Sequence, residues 1–280
     1  MKAPIQRILV PLDPSVFTAA ATETACLIAK KHESIVAGVA VLDSHEIRSS
    51  LVPAMGPYYP MMIDAVHAKV KHADHILEEC KNRFAHTCET AGITHTETEY
   101  EGVPAEKLLE SSIFFDLVIT GHETAFHFET RGEQGECLSE ILDKAVTPIL
   151  AVPAEGMEKL ESVLVCFDGS LSSARALHDF ILFAAPFDLK VKVLVADTEK
   201  EKAEFLLRSA TELLQSHGIE NVETIASDLP VDAAVDEGIV ADVDLIVAGI
   251  HSRKPIKDFF VGSFTKELLS RGTKPLLISH

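Results

Sequence analysis

"GECLSEILDKAVTPILAV" (Gly135–Val152) and "GSFTKELLSRGTKPLLIS" (Gly262–Ser279) align end to end without a gap. Each opens on a glycine, runs through a short helix-like segment and closes on an apolar run that follows a proline. Two more blocks match in the same order. "RILVPLD" (Arg7–Asp13) pairs with "SVLVCFD" (Ser162–Asp168), and "FDLVITG" (Phe115–Gly121) with "VDLIVAG" (Val243–Gly249). Three blocks in one order, over nearly the whole of each half, mark an internal duplication. The expected domains are residues 1–152 and 159–280, joined through the polar, Pro- and Gly-containing "PAEGMEKLE" (Pro153–Glu161).

Each half reads as alternating strands and helices. In the first, the apolar run Ile8–Leu12 precedes a helix over Ser15–Lys31, and Ile35–Leu42 is β-rich. Ile63, Val66, Val70, Ala73, Leu77, Cys80, Phe84 and Cys88 then recur every three or four residues, one buried face of a long helix ending near Gly92. Thr96–Tyr100 reads as a strand, and "VPAEKLLESS" as a short helix with Pro104 in its first turn. Leu117–Thr120 and Ile149–Val152 are continuous apolar runs, as in strands buried on both faces. The second half repeats the scheme with a shorter second helix (Glu199–His217) and without the insert that follows the first half's second strand (residues 44–62). Strands alternating with helices predict an α/β fold of two tandem domains about a pseudo-twofold axis. Each is a five-stranded parallel sheet with helices on both faces.

The 280 residues suit two domains of about 100–150 residues. With 43 acidic against 25 basic residues, a net charge of −18 argues against nucleic acid or an anionic membrane as the main partner. The N-terminus lacks a long apolar stretch with a cleavage site, and no run approaches membrane-spanning length, so a cytoplasmic protein is expected. Five cysteines without framework spacing read as reduced thiols, with Cys80 and Cys88 as small core hydrophobes.

Against this acidic background, Gly249–Ser263 carries Arg253, Lys254 and Lys257 against Asp258, a net +2. In a parallel α/β sheet, ligands gather at the carboxyl ends of the strands, where Asp168 and Gly249 both fall. Gly249 permits close backbone approach, and Gly262-Ser263 opens a helix whose free N–H groups and positive dipole end suit a phosphate. A polyphosphate is the expected guest. The first half differs at the same place. Gly121–Glu136 carries four glutamates and one arginine, a net −3, with Glu136 where Ser263 stands in the second half. A carboxylate there occupies the place of a phosphate, so the first half is expected to have lost the site.

The paired strand–Asp starts, the Gly…Gly-Ser block and the closing "KPLLIS" resemble the universal stress protein family in its tandem form, over nearly the whole chain. Nucleotide-binding members carry Gly-x2-Gly-x9-Gly-[Ser/Thr] in this loop; here the positions read Gly249, Ser252, Gly262 and Ser263, with the spacing intact and serine in the middle. The resemblance implies a Rossmann-like adenine-nucleotide fold and ATP, with or without Mg2+, as cofactor. It implies Asp168 near the adenosine, Val195 against the adenine, and Gly249, Gly262 and Ser263 around the phosphates. His251, Ser252, Arg253 and Phe264 complete the implied set. It further implies a stress-response role through nucleotide-dependent regulation, pairing of the last strands between halves, and a homodimer.

Two other functional classes stay open. One is a slow ATPase, although no Gly-x-Ser-x-Gly elbow, Walker lysine or His-Glu-x-x-His is present and no base or nucleophile can be named. The other is a scaffold without nucleotide, or a small-ligand or metal binder. For metal, His72, His75 and Glu79 on one helix face are the candidates. His122 and His251, at equivalent places after the fourth strand of each half, are expected to line the clefts.

Overall fold

The structure is a computed structural model that describes residues 4–43, 47, 59–123, 136–235, 237–250 and 263–280. The first half contains β1 (Arg7–Leu12), α1 (Val16–His32), β2 (Ile35–Leu42), α2 (Tyr59–Ala91), β3 (His95–Glu101), α3 (Pro104–Ser112), β4 (Leu117–Gly121), α4 (Glu136–Lys144) and β5 (Ile149–Val152). The second contains β6 (Ser162–Cys166), α5 (Leu171–Ala184), β7 (Lys190–Ala196), α6 (Lys200–Ser216), β8 (Val222–Ser227), α7 (Val231–Ala234), α8 (Glu237–Ala241), β9 (Leu245–Gly249), α9 (Ser263–Arg271) and β10 (Leu276–Ser279). Helix α9 and strand β10 begin at the residues that the gapless alignment pairs with the starts of α4 and β5.

The ten strands among the described residues form one sheet in the order β3-β2-β1-β4-β5-β10-β9-β6-β7-β8. Read from either edge the order is the same when each strand is replaced by its repeat partner, which is the signature of a pseudo-twofold axis. Within each half the pairing is parallel, while β5 and β10 run antiparallel across the middle, with Leu150 facing Leu277. Those two leucines are themselves repeat equivalents, so the axis passes through their pair. The expected pairing of last strands is thus realised inside one chain.

Burial explains why the strands read as they do. β4, β5 and β10 are buried at every position, whereas the outer strand β3 is largely exposed and carries Glu97, Glu99 and Glu101. Charge on an edge strand disfavours further strand addition. The α2 stripe is buried from Ala73 through Cys88, and Gly92 stops the helix in a left-handed conformation at φ 70°. Nearer the start of α2, Ile63 is 39% exposed, so the predicted buried face is shorter than the apolar periodicity. Residues 44–46 and 48–58 of the insert lie outside the described residues; its last residues form the first turn of α2.

The duplication extends to individual hydrogen bonds. Asp116 accepts the N–H groups of Gln6 and Arg7 on one carboxylate oxygen, at 2.8 and 2.9 Å. Asp244 does the same for Glu161 and Ser162, at 2.9 and 3.0 Å. Each aspartate ties the start of its fourth strand to the entry of its first. Across the halves, His32 on α1 is fully buried and donates from Nε2 to the Phe183 carbonyl on α5 at 2.9 Å. The linker is held as well: Met157 N–H donates to Thr24 on α1 at 3.2 Å.

Candidate functional site

At the carboxyl edge of the second half, two helix starts meet the end of β9. A Cβ built on Gly249 would lie 2.5 Å from the Ser173 nitrogen and 2.6 Å from the Ser172 carbonyl carbon. Only glycine lets the first turn of α5 come this close. Thr265, in the first turn of α9 and 1% exposed, donates its hydroxyl to the Gly249 carbonyl at 3.3 Å. The amino-terminal ends of α5 and α9 therefore converge on one residue, and each brings the positive end of its helix dipole.

Beside them lies Asp168, half-buried after β6. Its Oδ1 accepts the Ser170 N–H at 2.9 Å, and its own N–H donates to Ser173 Oγ at 3.4 Å. Gly169 between them adopts φ 69°, which turns the chain sharply into the helix. Ser170 caps α5 by accepting the Ser173 N–H at 3.2 Å.

The same edge of the first half is built differently. Asp13 is 1% exposed, and its Oδ1 accepts from Ser15 N–H at 3.1 Å, Ser15 Oγ at 2.6 Å and the Thr18 hydroxyl. Its carbonyl receives the Cys80 thiol at 3.4 Å, so α2 closes over it. Pro14 stands where Gly169 does, and Phe17 where Ser172 does. A Cβ on Gly121 would meet Phe17 Cβ at 2.2 Å. The close neighbour of Gly121 is thus an aromatic side chain, where that of Gly249 is serine backbone, and α4 starts on Glu136.

The structure brings together some of the residues expected at the site. Asp168 and Gly249 lie on the same edge, with Ser263 and Phe264 as the first two residues of α9. His251, Ser252, Arg253 and Gly262 lie outside the described residues. Val195 is fully buried with Val191 and Val193 in the core, so its side chain is taken up by packing. The half-buried Ala196 and Asp197 are what the end of β7 presents instead. His122 requires a correction. It is 7% exposed, donates from Nε2 to the Ala151 carbonyl at 3.2 Å, and stands 3.8 Å from the Cβ position of Gly272 in the other half. It is a buried interface residue rather than a cleft residue, and burial pulls its pKa down to about 4 against weaker opposing effects of the Ala151 carbonyl and Glu155.

For the metal alternative, His75 pairs with Glu79 at 3.3 Å on an exposed helix face, and no metal-holding group of three occurs among the described residues. Sequence reasoning passed over Ser172, Ser173 and Thr265. A hydroxyl five residues after each strand-end aspartate (Thr18, Ser173) was the signal for Ser173. Among the described residues no helix is long and apolar enough to cross a membrane.

Residues 189–280 match the universal stress protein family model. A curated universal stress protein of Synechocystis sp. is 23% identical, over 77% of this chain and 76% of its own length. Among solved structures, a universal stress protein from Archaeoglobus fulgidus superimposes with a TM-score of 0.71 at 18% identity, covering 100% of this chain and 99% of that one. A putative universal stress protein from Pseudomonas aeruginosa gives 0.59 at 15% identity, covering 98% and 93%. The family match on residues 189–280, the relative that spans most of both halves and the fold shared over the whole chain agree: the second half matches the universal stress protein family, and the chain as a whole is similar to universal stress proteins.

Proposed function

We propose that the second half binds ATP, or a related adenine nucleotide, at the carboxyl edge of its sheet, and that this binding regulates a stress response rather than feeding a dedicated turnover. The observation that carries the reading is the convergence of α5 and α9 on Gly249. Two helix N-termini aimed at one strand end favour an anion, and the loop between Gly249 and Ser263 adds a net +2 in a chain of net −18. Asp168, half-buried and next to Ser170, offers a carboxylate for sugar hydroxyls. Mg2+ would accompany the phosphates.

Isothermal calorimetry with ATP and Mg2+ tests this, at moderate salt so that loose surface association is screened. One site per chain is the expected result. No binding, or two sites per chain, would overturn it. Steady-state phosphate release then distinguishes a binding module from an ATPase.

A further inference from the structure

Three cysteines of the first half, Cys26, Cys80 and Cys88, are buried where α1 packs against α2. Two of them touch. Cys26 Sγ on α1 and Cys88 Sγ in the last turn of α2 lie 3.8 Å apart, with 6% and 0% of each residue exposed. We propose that Cys26 and Cys88 form a peroxide-sensitive dithiol whose oxidation to a disulfide staples α2 to α1. The proposal is independent of nucleotide binding.

Geometry makes the bond accessible. A disulfide needs sulfur atoms about 2 Å apart, so each sulfur has to move by roughly 1 Å, within reach of side-chain rotation. The neighbours divide the roles. The Cys26 thiol donates toward the Cys88 sulfur; once Cys26 is ionised the Cys88 thiol can donate back to it, so their contact lowers the Cys26 pKa, while the same contact and burial raise that of Cys88. Cys26 is also the more exposed of the two. Cys80 is engaged elsewhere, bonded to the Asp13 carbonyl at 3.4 Å and receiving Arg83 at 3.3 Å.

The oxidant is hydrogen peroxide or an organic hydroperoxide. The Cys26 thiolate attacks one peroxide oxygen, the O–O bond breaks, and water (or an alcohol) leaves with the Cys26 proton, giving a sulfenic acid. The Cys88 sulfur then attacks the sulfenic sulfur, and the departing hydroxide takes the Cys88 proton as a second water. Two electrons pass from the thiol pair to the peroxide, and both oxygens end as water or alcohol.

The cross-link would close a loop whose ends are 62 residues apart in sequence, containing β2 and most of α2. Closing a long loop restricts the unfolded chain, so the melting temperature should rise by roughly 5 °C or more.

The test is to treat the folded full-length protein with hydrogen peroxide, block remaining thiols, and map cross-linked peptides by mass spectrometry without reduction. Expected are a Cys26–Cys88 peptide pair, the loss of two thiols per chain, and a rise in melting temperature that a reductant reverses. Cys26→Ser should abolish the cross-link and the rise, while Cys166→Ser, far from the pair in sequence and in the other half, should retain both. Because the wild-type peptide map needs no variant, a variant that fails to fold leaves the test intact. Free thiols at both positions, separate sulfinic or sulfonic acids, or a disulfide that includes Cys80 would overturn the proposal.

Discussion

Asp13 and Asp168 end equivalent strands in equivalent halves, yet one is sealed and the other is not. Around Asp13, hydroxyls from Ser15 and Thr18 and the thiol of Cys80 occupy the strand end, and Phe17 packs beneath Gly121. Around Asp168, the half-buried carboxylate faces a helix start made of serines, and Gly249 is met by backbone rather than by a ring. The lesson is that duplication preserved the scaffold while the two edges came to be built differently. The strand clamps Asp116 and Asp244, which serve only the fold, stayed alike. The residues that would face a ligand diverged.

The largest expected effect breaks the comparison at one position. Ser263→Glu gives α9 the carboxylate that α4 carries at Glu136. Like charges about 4 Å apart cost about 4 kcal/mol at a protein-like dielectric, so ATP affinity should fall roughly a thousandfold in a calorimetric titration. Undiminished binding would mean that the charge contrast between the two loops is not what separates the halves.

Gly249→Ala probes the close approach directly. Its Cβ would press on the Ser172–Ser173 backbone, which cannot move without shifting α5, so a loss of roughly 3 kcal/mol is expected in denaturant unfolding. Gly121→Ala should also destabilise, but there the obstacle is the Phe17 side chain. Adding Phe17→Gly should recover part of that loss. No side-chain deletion should rescue Gly249→Ala, and a rescue there would show that the two glycines are interchangeable after all.

A third test uses His122, buried at the seam between the halves with a pKa near 4 against an ordinary value of 6.5. Because the folded value is depressed, the unfolded chain binds the proton more readily. Its contribution is therefore complete above pH 6.5 and is lost as pH falls toward 4, by about 3 kcal/mol. Burial lowers the pKa of His32 as well, in the same direction. His122→Gln can keep a donor to Ala151 without titrating, and its stability should fall less between pH 6.5 and 4 in unfolding curves. Identical slopes would remove His122 from the acid response.

The smallest effect is the mirror of the first. Glu136→Ala should leave one ATP site per chain, since Asp13 remains sealed and Phe17 remains in place. A second site appearing in calorimetry would show that a single carboxylate, not the rebuilt edge, had closed the first half.

Much of this architecture was legible because the repeat aligned residues whose surroundings are alike: the starts of α4 and α9, and of β5 and β10, follow from the gapless block. Face was harder to read than position. Along β7, Val191, Val193 and Val195 share one face and Lys190, Lys192, Leu194 and Ala196 the other, and only the packed structure shows that the valine face is wholly covered, Val195 at the strand's end included. The α2 stripe was periodic over its whole length, but only tertiary packing decides where its full burial starts, which is at Ala73. The second half's third helix breaks into α7 and α8 at Val235, with no proline to announce it. His122 and His32 were beyond local reading. Their carbonyl partners lie 29 and 151 residues away, and only the closed sheet brings them together.

The central pair of strands has one more consequence. Leu150 and Leu277 meet within a single chain, so the partner of each half is tethered at an effective concentration on the order of millimolar, whatever the amount of protein present. Two separate half-sized chains would part on dilution. These two cannot be separated in that way, so one half can drift in sequence without losing its mate.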